Sequence, residues 1–336
     1  MTVIALDAMG GDFAPRVVVE GAVRAVREPG ARILLVGDRA RIAAELTRFR
    51  YDADRIAVHH TPQHITMDDA STAVLREKPE ASVRVACDLV RQGRAQAVVS
   101  AGHSGALMVA AKHTLGMVAG VDRPAIATAL PLKHGSTVLI DCGANVDCKP
   151  HYLVQFAQMG GQYARRALGV AQPRVGLLSN GGEEGKGNEL TRNASALLEA
   201  EPRVDFIGNV EARDLFRGKA DVVVCDGFVG NLVLKTAEAA GAQLRLLTRE
   251  AVGRSPLALV GYWLMQGTLR GLTRRTDYHA VGGSPLLGLQ GLVVVCHGSS
   301  SARSIANALR VATQCASGGL VEAIAAEFGA PASPAA

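Results

Sequence analysis

Apolar residues along this chain fall into two kinds of run. Short, β-branched stretches predict strands that are apolar on both faces: VIAL (3–6), ILLV (33–36), AVVS (97–100), AIATAL (125–130), TVLID (137–141), VGLLS (175–179), VDFI (204–207), VVVCD (222–226) and LVVVC (292–296). Between them lie longer stretches with helical spacing, at 16–28, 38–48, 71–92, 104–118, 151–168, 188–200 and 231–252. Strands buried on both faces need helices on both, so the alternation predicts an α/β chain with three α/β/α layers and a mostly parallel sheet. Ligands of such sheets bind beyond the carboxyl ends of the strands, which turns attention to the loops after them.

Those loops are rich in glycine and polar residues. They read Asp7-Ala8-Met9-Gly10-Gly11-Asp12, Ala101-Gly102-His103-Ser104-Gly105, and Asp141 to Pro150 with Gly143, Asn145, Asp147 and Lys149. Further on come Asn180 to Glu189 with Lys186 and Asn188, then Asp226-Gly227-Phe228-Val229-Gly230-Asn231, then His297-Gly298-Ser299-Ser300. Glycine lets a backbone approach a ligand closely, and helix N-termini offer free N–H groups to anions. One such loop is an ordinary turn, but six together predict an anion-binding active site. The expected substrate contacts are Gly10, Gly11, Asp12, Gly102, Ser104, Gly105, Asn145, Asp147, Lys149, Asn188, Asp226, Gly227, Gly230, His297, Gly298 and Ser299. Lys186, a lysine among glycines at a helix start, is either a point charge for phosphate or a surface lysine.

Several standard motifs are missed. Gly185-Lys186 is followed by Gly187 rather than Ser or Thr, so 180–189 is no nucleotide P-loop. The first loop lacks GxGxxG, and no GxSxG elbow occurs. His59, His60, His64, Asp68 and Asp69 match no metal-ligand spacing and read as a solvated loop. Neither a metal nor a nucleotide cofactor is expected.

Residues 244–280 break the alternation. They carry no strand signal, and a nearly uncharged tip from Pro256 to Met265 lies between Arg245, Arg249 and Arg254 on one side and Arg270, Arg274 and Arg275 on the other. This predicts a projecting helical hairpin. Its tip residues, Leu257, Leu259, Val260, Trp263, Leu264 and Met265, suit either a membrane interface or a dimer contact. The Pro- and Ala-rich stretch 329–336 is expected to be a disordered tail.

Composition narrows the function classes. The 336 residues are 48% hydrophobic and 20% charged, which excludes a disordered chain. The net charge of +5 is mild, and aromatic residues are only 4%, so a nucleic-acid partner is not expected. An anionic small molecule, an acidic protein or an anionic lipid surface remain as partners. The six cysteines form no CxxC and read as buried, reduced thiols. No apolar run reaches the roughly 18 residues of a membrane-spanning helix, and the start MTVIALDAMGGD reads as a strand and turn rather than a signal peptide, so a cytoplasmic protein is expected.

The same loops carry a family resemblance. ALDAMGGDFAP, DRPAIATALP, DCGANVDCKPHYLVQFAQMG, PRVGLLSNGGEEGKGNELT, DFIGNVEARDLF, ADVVVCDGFVGNLVLKT and GGSPLLGLQGLVVVCHGSS, in order from residue 3 to about 313, resemble the bacterial phosphate acyltransferases of phospholipid synthesis. The resemblance implies transfer of a fatty acyl group from the thioester of acyl carrier protein to inorganic phosphate, giving an acyl phosphate. It implies one catalytic unit over 1–328 built of two intertwined halves, with a fold like isocitrate and isopropylmalate dehydrogenases and phosphate acetyltransferase. It also implies a homodimer without a nucleotide cofactor, touching an anionic membrane peripherally through the 244–280 hairpin. The acyl phosphate would feed a membrane glycerol-3-phosphate acyltransferase. Lys186 and Asn231 stand where the family places polar active-site residues, and the catalytic expectation rests on them. His103-Ser104, Ser179 and Val281 depart from the usual family residues at their positions. A dehydrogenase of the related fold and a non-enzymatic membrane-associated scaffold are the competing expectations.

Overall fold

A computed structural model describes residues 1–253, 258–265, 267 and 282–329. The elements follow in the order β1 (Thr2–Asp7), α1 (Arg16–Ala25), β2 (Ala31–Gly37), α2 (Arg39–Leu46), β3 (Ile56–His60), α3 (Ala73–Arg76), α4 (Ser82–Arg91), β4 (Ala97–Ser100) and α5 (Ser104–Leu115). The chain continues through β5 (Ala125–Pro131), β6 (Ser136–Ile140), α6 (Pro150–Leu168), β7 (Arg174–Leu178), α7 (Glu189–Glu199), β8 (Asp205–Val210), a 3-10 turn (Ala212–Phe216) and β9 (Val222–Val224). It then forms α8 (Gly227–Gly253), the helical residues 258–265 as α9, β10 (Ser284–Leu287), β11 (Leu292–Val295), α10 (Ala302–Ser317) and α11 (Leu320–Gly329).

All nine expected strands are present. β3 and β10 are additional; IAVHH is half polar and SPLL is four residues with a proline, so neither gives a clean strand signal. The expected helix over 71–92 is two helices. Pro79 has no N–H to donate, and the chain between Arg76 and Ser82 is not helical. The first arm of the expected hairpin continues α8 as far as Gly253. Leu257, the arginines at 254, 270, 274 and 275, and 330–336 of the expected tail lie outside the described residues, whereas Gly329 ends α11.

One sheet of eleven strands, in the order β3-β2-β1-β4-β11-β10-β5-β6-β9-β7-β8, forms the middle layer. Alternate strand residues enter opposite layers. Ile4, Leu6, Val99, Val138, Val224 and Val294 join the core under α1, α6 and α10, while Ala5, Val98 and Val293 pack on α4 and α5. Leu139 and Val223 pack on the 3-10 turn and the first turns of α8. Burial on both faces is why these strands read as unbroken apolar runs.

Three pairings are antiparallel: β11 with β10, β10 with β5, and β5 with β6. The β3-β2-β1-β4-β11 group therefore runs opposite to the β6-β9-β7-β8 group. The carboxyl ends of the two groups, and the glycine loops after them, lie at opposite ends of the sheet. Three of the six loops sit at each end, a division that strand propensity does not reveal.

Candidate active site

Each loop set is organised around one buried carboxylate. Asp7, at the end of β1, accepts from Ser82 Oγ at 2.6 Å, Ser100 Oγ at 2.7 Å and Met9 N at 3.2 Å. Asp141, after β6, accepts from the backbone N–H of Ile126, Gly143 and Ala144 on Oδ1, at 3.0, 3.1 and 3.0 Å. Its Oδ2 accepts from Asn145 N at 2.7 Å and Asn145 Nδ2 at 2.9 Å. Burial is the largest influence on both carboxyls and pushes their pKa up, with the donors pulling the other way. These two aspartates were not among the expected contacts. Their signal in the sequence is an Asp directly after an apolar strand and before a glycine turn.

At the first end, the loops interlock through main chain. Asp12 N donates to Gly298 O at 2.9 Å, and Gly102 N donates to Ser100 Oγ at 3.1 Å. A Cβ at Gly10 would stand 2.7 Å from Gly102 N, and Gly11 has φ +108, so both positions need glycine. His103 accepts from Ala106 N through Nδ1, capping α5 directly before Ser104, while a Cβ at Gly105 would stand 2.9 Å from Ser71 Oγ. His297 Nδ1 pairs with Ser299 Oγ at 2.8 Å. Gly10, Gly11, Asp12, Gly102, Ser104, Gly105, His297, Gly298 and Ser299 therefore belong to this end.

At the other end, α8 is seated on the 141–145 loop. Gly227 N donates to Asn145 O at 2.7 Å, and a Cβ at Gly227 would stand 2.6 Å from that oxygen. A Cβ at Gly230 would collide with the Asp141 carbonyl oxygen. Asn145 spends its amide on Pro124 O at 2.8 Å and on Asp141, so it builds the loop. Asp226 caps α8 by accepting from Val229 N at 2.8 Å. Asn188 caps α7, accepting from Thr191 N at 2.9 Å, and Asp147, Lys149 and Lys186 are solvent-exposed.

A cavity of about 530 Å³ opens between these loops, walled by Leu178, Ser179, Asn180, Gly187, Asn188, Thr191, Ala212, Cys225, Asp226, Val229 and Val233. Its walls are mostly apolar, with polar groups at the α7 N-terminus and the Asp226 carboxylate at the start of α8. Burial pushes the Cys225 thiol well above its usual value, so this cysteine is a neutral wall. The Lys186 side chain lies over Gly181 at the outside of this loop. Asn231 is about 200° round α8 from Val229 and sits beside Gly143 instead. Neither Lys186 nor Asn231 lines this cavity.

α8 also links the two ends of the sheet. Asn231, Leu234 and Glu238 share one face of this helix. Leu234 and Glu238 reach a smaller cavity of about 80 Å³ with Thr128, Ser284, His297, Ser300 and Ser304. From Gly227 to Glu238 is roughly 16 Å of helix, about the length of the five-residue strand β6.

A family model described as "Fatty acid synthesis protein" matches residues 2–323. The chain belongs to that family. A relative from Moorella thermoacetica, named "Phosphate acyltransferase", is 50% identical over 321 residues, covering 96% of this chain and 94% of its own length. The protein is an acyltransferase. In fold it is similar to a phosphotransacetylase from Streptococcus pyogenes, with a TM-score of 0.65 at 16% identity over 94% of each chain. It is similar also to 4-hydroxythreonine-4-phosphate dehydrogenase from Klebsiella pneumoniae, with a TM-score of 0.56 at 15% identity over 94% of this chain and 100% of the other. The dehydrogenase likeness is therefore one of architecture, and family membership sets aside the dehydrogenase and scaffold readings.

Proposed function

We propose that this protein transfers a fatty acyl group from the thioester of acyl carrier protein to inorganic phosphate. The observation that carries the reading is the mostly apolar 530 Å³ cavity beside a glycine-rich helix N-terminus, in a chain whose relatives are named phosphate acyltransferase. The apolar wall suits the start of an acyl chain, and the N–H-rich rim suits an oxyanion.

A phosphate oxygen attacks the thioester carbonyl carbon, the C–S bond breaks, and the proton of monohydrogen phosphate ends on the released thiol. Two anionic partners must meet for this to happen. Fixed N–H donors and a lysine offset the repulsion and hold the oxyanion that forms. Lys186 is assigned to phosphate or the oxyanion, and Asn231 donates a hydrogen bond to the reacting carbonyl or to phosphate. Positioning supplies much of the remaining acceleration, with no covalent enzyme intermediate.

The reading extends to a homodimer and to peripheral contact with an anionic membrane on the cytoplasmic side, near a glycerol-3-phosphate acyltransferase that uses the product. Leu259, Val260, Trp263, Leu264 and Met265 are 50–71% exposed, which supports an interfacial tip. Among the described residues no helix is long and apolar enough to cross a membrane.

The test mixes the protein with palmitoyl-acyl carrier protein, with and without inorganic phosphate, following free thiol and trapping product with hydroxylamine. Phosphate-dependent thiol release with a trapped acyl hydroxamate is expected. Release that ignores phosphate indicates a thioesterase and defeats the proposal, as does no release from folded protein.

A further inference from the structure

Among the described residues, Asn209 Oδ1 is the one buried side-chain oxygen or nitrogen without a hydrogen-bond partner. A buried acceptor left without a donor is destabilising, so keeping one asks for a donor in another arrangement of the chain.

A β-bulge aims this side chain. Val175 pairs with Phe206 and Leu177 with Asn209, so β8 spends three residues where β7 spends two, and Gly208 in the longer step has φ +85. Val210 goes on into the core under the 3-10 turn. Asn209 lies instead against the loop that carries Lys186. Its Nδ2 donates to Glu183 O at 3.1 Å, and its own carbonyl oxygen would be 3.9 Å from a Cβ at Gly182.

That loop holds unused donors. From Gly181 to Gly185 no backbone N–H donates to any group among the described residues, and only Lys186 N does, to Glu183 O at 3.3 Å. Residues 182–186 are exposed, and a Cβ at Gly185 would meet nothing within 4 Å, so the turn can shift without breaking packing. Lys219 Nζ, the cation beside Gly182, is directed to Asp214 at 3.6 Å. Glu183 O is thus shared by Asn209 and Lys186. Lys186 Cγ meanwhile lies over Gly181, away from the 530 Å³ cavity, although Gly187, with φ +104, lines that cavity.

We propose that Asn209 is a positioning residue for Lys186. The 181–186 turn has a second, closed arrangement in which one of its free N–H groups donates to Asn209 Oδ1 and Lys186 comes to the cavity rim. Glu183 O stays on Asn209 Nδ2 as the pivot. A bound oxyanion favours this arrangement because it meets the lysine only there. The proposal rests on the acyltransferase reading, which assigns Lys186 to phosphate or the oxyanion.

The test joins a double-mutant cycle to hydrogen exchange, using the whole protein, palmitoyl-acyl carrier protein and inorganic phosphate. Asn209→Leu removes donor and acceptor together, so its Tm should match or exceed the parent's, while turnover falls at least about tenfold because the lysine is misplaced. In a Lys186→Ala background the same change should cost less than about twofold further, since Asn209 acts only through that lysine. Saturating inorganic phosphate should slow exchange across 180–188 in the parent and leave it unchanged in Asn209→Leu. Asn209→Ala, which adds no bulk, repeats the cycle should the leucine variant fold poorly. Unchanged turnover in folded variants, losses that multiply in the double variant, or exchange slowed equally with and without Asn209 overturns the latch. Failure of the reaction reads differently. A folded parent that forms no acyl phosphate defeats the acyltransferase reading, and the exchange experiment then decides the latch by itself.

Discussion

Two glycines in one helix should respond to alanine with opposite signs. Replacing a mid-helix glycine by alanine ordinarily stabilises by roughly 1 kcal/mol. Gly241 of α8 meets this case: the nearest atom to an added Cβ is Arg245 Nη1 at 3.8 Å, an ordinary contact. At Gly230 the added carbon would overlap the Asp141 carbonyl oxygen and stand 2.9 Å from Cys225 Sγ. The obstruction is backbone and cannot rotate away, so the overpacking cost belongs at the upper end, about 3 kcal/mol. Subtracting the propensity gain leaves about 2 kcal/mol of destabilisation. Unfolding entropy scales with length, and for 336 residues is roughly 0.7 kcal/mol per kelvin at the midpoint. Gly241→Ala should therefore raise Tm by about 1–2 °C and Gly230→Ala lower it by about 3 °C, read by differential scanning calorimetry. Because Gly230 precedes Asn231, the strain also lifts that side chain off Gly143. An ångström of misplacement costs about 100-fold in turnover. A Tm that rises in both variants would refute the seating of α8 on the Asp141 loop.

Other expectations bear on separate parts of the molecule. Lys186→Ala and Asn231→Ala should each lose about 100-fold or more in turnover with Tm nearly unchanged, as removal of one oxyanion donor does; near-normal rates from folded variants sink the assignment. Trp263, 69% exposed, should shift its emission to the blue on adding anionic vesicles, and a spectrum unchanged at saturating lipid counts against insertion. Asp69 is pulled down to about 2 by Lys78 Nζ at 2.6 Å and by Thr66. A depressed carboxyl stabilises the fold above its unfolded pKa and loses that contribution as pH falls from about 4 towards 2. Hydrogen exchange across 61–80 should therefore quicken in that window, and unchanged protection at pH 2 contradicts the pairing.

The strand runs were legible because alternate residues enter two apolar layers: Ile4 and Leu6 go one way and Ala5 the other. What failed to show was direction. Nothing in AIATAL or TVLID says that β5 and β6 pair antiparallel, yet that pairing, with β10, sends the six glycine loops to two ends of the sheet. Loop positions were legible, but what their side chains bond to was not. Asn145 and Asn188 look like ligand contacts in the sequence but spend side-chain groups on Pro124, Asp141 and Thr191. Thr128 and Ser284 carried no local signal, because they meet only after β10 has packed beside β5.

The two sheet halves are not covered equally, and that bears on the proposed dimer. α4 and α5 bury their inner faces on the first group of strands, with Cys87, Ala86, Leu107 and Ala110 at 0–1% exposure. α8 lies over the second group, but among its 27 residues only Gly227 and Gly230 are buried. Phe228, Leu232, Leu244, Leu246 and Leu247 are 50–67% exposed, an apolar surface too extensive to leave in water without cost. If a second copy covers it, Leu232→Glu and Leu244→Glu should each shift sedimentation from twice the chain mass towards once. Burying an unpaired carboxylate at an apolar contact is costly, whereas the same change on a free surface is worth within about 0.5 kcal/mol. A parent protein that sediments as one chain at tens of micromolar removes the second copy as the cover of α8.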